Sequence, residues 1–142
     1  MKKLPIFFYL QDVSYTLKQK NKLRQWISKT IVNENHRLQT VNFILCSDEY
    51  LLTLNRQYLQ HDTYTDIITF DNSESPTIIT GEIFISLDRI RENAKAFNTS
   101  FTNELQRVMI HGILHLLGYK DKSAKAKKMM TLKENEYLEL RG

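Results

Sequence analysis

The chain has 142 residues, 42% hydrophobic and 11% aromatic, with a net charge of +4 and a pI near 9.1. That length gives one domain with enough chain for a buried core, and the apolar content excludes a disordered protein. The lone cysteine, Cys46, excludes an internal disulfide and reads as a small core residue in a reducing compartment. The start, Met1-Lys-Lys, is followed by an apolar stretch only from Leu4 to Leu10, broken by Pro5 and without a small-residue cleavage site, so it is not a signal peptide. No apolar run reaches the roughly 20 residues that cross a bilayer, and a soluble, cytoplasmic protein is expected.

In chain order, Ile6 to Leu10 predicts a strand. Leu23, Trp26, Ile27 and Ile31 follow helical spacing over about Lys20–Asn35, with Asn21 as a candidate cap. Val41 to Cys46 predicts a second, buried strand. Ser47-Asp48 opens a helix carrying Leu51, Leu52, Leu54 and Tyr58. Thr65 to Phe70 is rich in β-formers, and Asp71 to Pro76 is a polar loop. Ile78-Ile79 and Ile83 to Ile85, with Gly81 between, predict a further strand, regular or bulged. Ser86-Leu-Asp88 opens a helix to about Phe97, and residues 98–103 hold cap candidates for the next, which ends near Leu117. A last helix, roughly Ser123 to Leu140, has apolar points at Met129, Leu132 and Tyr137. Phe7, Phe8, Trp26 and Phe43 fall at core positions, as packing rather than base-stacking residues. The expected fold is α+β: about four strands in a mixed sheet, a buried central helix and further helices around it.

That central helix is apolar nearly all round from Val108 to Leu117, yet it carries His111 and His115. Side chains at i and i+4 share one helical face, so both imidazoles reach a single point. Glu104 lies on the same stripe two turns earlier. Gly118 permits a turn that brings Asp121 back toward the rings. Two nitrogens and a carboxylate oxygen leave one position open, the layout of a catalytic zinc site, with other divalent metals also accommodated. The spacing resembles the extended zinc motif of the zincins. Peptide hydrolysis by such motifs needs a glutamate after the first histidine, and here that residue is Gly112. Arg107 precedes the site, and Lys120, Lys122, Lys125, Lys127 and Lys128 follow it, as candidate phosphate contacts. His61 and Asp62 are further polar residues ahead of the Thr-Asp segment.

The segment His111-Gly-x-Leu-His-Leu-x-Gly-Tyr119 resembles the signature of the YbeY family of metal-dependent endoribonucleases. Leu54-Asn55 with Tyr58, the run Tyr64 to Phe70, and Gly81 to Ser86 are similar to two further segments of that family. The resemblance implies a zincin-like fold over the whole chain, 1–142, and cleavage of single-stranded RNA in ribosomal RNA maturation and ribosome quality control. It implies ribosomal RNA and the ribosome, or its small subunit, as partners. Two positions depart from the pattern. Asp121 stands where the family has a third histidine, so His111, His115 and Asp121 are the expected ligands. Leu59 stands where the family has an arginine, and Arg56, one turn earlier, is the candidate substitute. The departure at Leu59 favours, as the alternative, a metal-binding ribosome assembly factor that cuts poorly.

Overall fold

The computed structural model describes residues 4–141; the basic start at residues 1–3 and the final glycine lie outside the described residues. The elements follow one another as β1 (Ile6–Gln11), α1 (Lys20–Asn33), β2 (Arg37–Cys46), α2 (Asp48–Tyr58), β3 (Ile67–Asp71), β4 (Ile78–Ser86), α3 (Leu87–Ala96), α4 (Phe101–Leu116) and α5 (Ala124–Glu139). The four-stranded sheet has the order β1-β2-β4-β3. The β1-β2 and β2-β4 pairs are parallel, and β3 is antiparallel to β4. The α+β architecture with a mixed sheet is the one the sequence predicts.

Alternation sorts the two sheet faces. Val41, Phe43 and Leu45 of β2, with Ile79, Ile83 and Ile85 of β4, join the main core beneath α1 and α4. On the opposite face, α2 lays Leu51 and Leu54 over Cys46 and Ile68. Helix α4 runs through the main core with Leu105, Met109, Ile110, Ile113 and Leu114 at most 1% exposed. It lies close on the sheet because Gly112 has no side chain: a Cβ there would stand 2.9 Å from Ile83 Cγ2 and 3.0 Å from Ile67 Cδ1. Ser47, Ser86, Ser100 and Ser123 cap α2, α3, α4 and α5, each accepting a hydrogen bond from the backbone N–H three residues on.

Several expectations need correction. Helix α1 begins after Gln19, in the left-handed region at φ 58°, with no side-chain cap; the Asn21 side chain instead accepts from Arg24. β2 starts four residues earlier than Val41, because Arg37, Leu38 and Thr40 also find partners on β4. Of the two forms expected for β4, the regular one is found, a single strand through Gly81; the register shift lies opposite, between Leu38 and Thr40. Phe7 is 38% exposed, since β1 is an edge strand and its odd face meets no helix core. In α5 the buried stripe is Met130, Glu134, Tyr137 and Leu138, whereas Met129 and Leu132 are exposed.

Candidate metal centre

Three elements build the site. Helix α4 supplies His111 and His115 near its C-terminal end. Gly118, at φ 105°, turns the chain, and its N–H donates to the His115 carbonyl. Residues 119–123 then return beside the helix, which brings Asp121 to the rings. His111 Nε2 and His115 Nε2 lie 3.0 Å apart, and Asp121 Oδ2 is 3.3 Å from each. A tetrahedral centre with bonds of about 2.0–2.1 Å separates its donors by about 3.3–3.4 Å, so this triangle has the size of one face of such a centre.

The backs of both rings are engaged. His111 Nδ1 lies 2.6 Å from Glu134 Oε2, and His115 Nδ1 lies 3.1 Å from the Tyr119 carbonyl. Both partners are acceptors, so each Nδ1 carries a proton, and in the neutral form of each ring Nε2 is the atom free to hold a cation. Both Nε2 lone pairs then converge on the Asp121 carboxylate. Three electron-rich atoms so close together call for a cation, and the donor set fits a divalent one. A proton is the competitor. Burial pulls the His111 pKa down, but the hydrogen bond and charge of Glu134, helped by Asp121 and Asp66, outweigh it and leave it above 6.5. His115 lies below that value, through burial first and then the nearby His111. Acid and metal therefore compete for this site.

Glu134 is the residue that sequence reasoning missed. It is 8% exposed and accepts from Arg107 Nη1 at 2.9 Å as well as contacting His111. Arg107 Nη2 also donates to Asn135 at 2.8 Å. The signal was available: a carboxylate in the stripe Met130, Glu134, Tyr137, Leu138 points inward. A second support reaches His115 through Tyr119, whose hydroxyl donates to Glu34 at the end of α1 (2.7 Å). Tyr137 also donates to Glu34, and Lys133 Nζ lies 3.4 Å from it. Burial raises the Glu34 pKa, but these hydrogen bonds and the lysine charge prevail and bring it below 4.5. An acid with a lowered folded-state pKa contributes stability that is complete above its unfolded value and lost as pH falls through the lowered one. Glu34→Gln is therefore expected to cost about 1–3 kcal/mol at neutral pH and to flatten the loss of stability below about pH 4.5. Urea unfolding across that pH range measures both.

The triad opens into a cavity of about 710 Å³. Its wall includes Leu59, residues 65–69, Asp71, Glu104, Arg107, Lys122 and Glu134. Of the candidate phosphate contacts, Arg107 and Lys122 thus reach the cavity. Lys120 is exposed beyond its wall, and Arg56 is exposed and ion-paired with Asp62. Arg56 is therefore not brought to the place where Leu59 stands. Five carboxylates (Asp66, Asp71, Glu104, Asp121 and Glu134) face the same space. Glu104 is 3% exposed, and burial holds its pKa above the usual range; Asn93 Nδ2 spans it and Asp66.

The family profile described as Endoribonuclease YbeY matches residues 9–142. The chain belongs to the YbeY endoribonuclease family. An Endoribonuclease YbeY of Cytophaga hutchinsonii is 50% identical over 141 residues, 99% of each chain. One from Christiangramia forsetii is 46% identical over 140 residues, 99% of this chain and 96% of its own. The solution structure of TM1509 from Thermotoga maritima is similar at a TM-score of 0.68 and 32% identity, covering 94% of this chain and 88% of that one. Membership makes the protein an endoribonuclease, a hydrolase acting on RNA. No described helix is long and apolar enough to cross a membrane.

Proposed function

We propose that this YbeY family member cuts single-stranded RNA during ribosomal RNA maturation and ribosome quality control in the cytoplasm, acting on the ribosome or its small subunit. His111, His115 and Asp121 would hold one divalent cation, with zinc the best match to two imidazoles and a carboxylate. The observation that carries this reading is the convergence of the three donor atoms, with both Nδ1 atoms already engaged. Such a cation polarises a phosphoryl oxygen and makes its water more acidic. The protein's own groups do the rest. Glu134 and the Tyr119 carbonyl fix the two imidazoles, and Asp121 supplies the negative charge. Arg107 and Lys122, on the same cavity wall, hold the phosphates on either side of the bond to be cut. Gly112 offers no carboxylate in place of the zincin glutamate, which argues against peptide hydrolysis. Attack by water and attack by the ribose 2′-hydroxyl are both compatible with this layout.

Leu59 on the cavity wall favours a second reading: a metal-holding ribosome assembly factor with little cleavage. One experiment separates the two. Purified protein is incubated with a single-stranded fragment of ribosomal RNA precursor, before and after treatment with a chelator. Cleavage that stops on chelation and returns with added zinc supports the enzyme. Tight binding of intact RNA by zinc-loaded protein supports the assembly factor.

A further inference from the structure

We propose that the open edge of β3 is where the substrate's unpaired bases are held, and that this edge selects single-stranded RNA. The inference rests on the nuclease reading above and deepens it. Residues 65, 66, 67, 68 and 69 all line the metal cavity, as does Asp71. Alternate side chains of a strand point to opposite faces. A run of consecutive residues lines one cavity only when the strand turns its edge toward it. Among the described residues β3 is an edge strand, with β4 on one side and no further strand on the other.

The register shows which peptide groups are free. The Ser86 N–H donates to the Asp66 carbonyl (3.0 Å), and the Asn72 N–H donates to the Thr80 carbonyl (2.8 Å). In the antiparallel register, Ile68 and Phe70 therefore also turn their peptide groups toward β4. Ile67, Thr69 and Asp71 turn theirs to the cavity. Thr65 Oγ1 donates to the Ile67 carbonyl (3.3 Å), so Thr69 offers both an N–H and a C=O to the open side.

Unpaired bases present donors and acceptors on their Watson–Crick edges, which a duplex uses up internally. The outward groups repeat about every 6.8 Å along the strand, twice the roughly 3.4 Å step of stacked bases. A stacked strand meets that spacing only with every second base, whereas bases drawn out of the stack can meet each group in turn. Charge sets the orientation. The cavity wall carries Asp66, Asp71 and Glu104 beside β3, so phosphates are repelled from the edge and neutral bases are admitted. A phosphate held at the triad leaves its neighbouring nucleotides in the same cavity, which makes RNA rather than an extended peptide the occupant.

Residue-resolved amide exchange by NMR on zinc-loaded full-length protein tests this, with a short 2′-O-methyl oligouridylate as probe. The expected result is slower exchange at Ile67, Thr69 and Asp71, by about 3-fold or more, with Ile68 and Phe70 unchanged. The same probe duplexed with its oligoadenylate complement should give no such alternation. Proline is tolerated on an edge strand where its missing N–H faces outward. Thr69→Pro should therefore cut single-stranded RNA about 10-fold more slowly, as for one lost hydrogen bond. If wild type cuts RNA yet the β3 edge stays silent on probe binding, this inference fails and the nuclease reading stands. A folded Thr69→Pro that cuts at the wild-type rate also overturns it. If an unstructured peptide slows these amides and the probe does not, the edge is a peptide site. If wild type neither binds nor cuts RNA, both readings fall. Should Thr69→Pro not fold, the alternation in wild type decides.

Discussion

His115→Ala is expected to leave a folded protein that no longer retains zinc through mild purification and no longer cuts RNA above background. His115 stands at the rim of the core rather than inside it, with its side chain 28% exposed. The alanine removes one hydrogen bond to the Tyr119 carbonyl, worth about 0.5–1.5 kcal/mol. It leaves His111 and Asp121 as an incomplete pair, where a mononuclear zinc site of this kind needs three protein donors. The loss of metal affinity should exceed the roughly 10- to 100-fold typical of a supporting residue. Elemental analysis, a thermal melt and a cleavage assay on one preparation of each protein make the comparison. Zinc retained by the variant at wild-type stoichiometry would overturn the assignment of this ligand. Cleavage retained at the wild-type rate would assign the activity to a contaminant.

Glu134→Gln should weaken zinc binding by about 10- to 100-fold while the RNA-cutting rate largely recovers at saturating zinc. Glutamine keeps the volume and one acceptor oxygen. It removes the negative charge that sits 2.6 Å from His111 Nδ1 and 2.9 Å from Arg107 Nη1. The imidazole then becomes a poorer donor to the cation and is less firmly oriented. Competition with a chromophoric chelator reads the affinity directly. An affinity within a factor of about two of wild type would mean that Glu134 only packs α5 against α4. The separation between the two variants is itself informative. A lost ligand is not rescued by more zinc, whereas a lost support is.

The triad was legible in the sequence because its geometry is local. Two histidines one helical turn apart and an aspartate just past a glycine turn need only the α-helix and one left-handed residue to meet. Glu134 was not legible in the same way, since it arrives on α5 and meets His111 only through the packing of two helices. The phase of α5 hid it. Taking Met129 and Leu132 as the inner residues puts Glu134 outside, while the observed stripe through Met130 and Leu138 puts it inside. Helix starts were read well where a serine caps them, at Ser47 and Ser86; the start of α1 near Lys20 was also legible, but not its cap, since the chain enters from Gln19 without a side-chain cap. The lysines after Gly118 read as one basic cluster, but the turn separates them: Lys122 faces the cavity and Lys120 faces outward.

The supports behind the two imidazoles have a thermodynamic consequence. One ring leans on α5; the other leans on Tyr119, whose hydroxyl leads to α1. A cation gripped by the triad therefore fastens helices that are distant along the chain, and its binding free energy counts toward the folded state as a whole. By mass action, free metal at about 1,000 times its dissociation constant adds about 4 kcal/mol to the unfolding free energy. Scarcity of the ion would lower the heat resistance of the entire protein along with its chemistry.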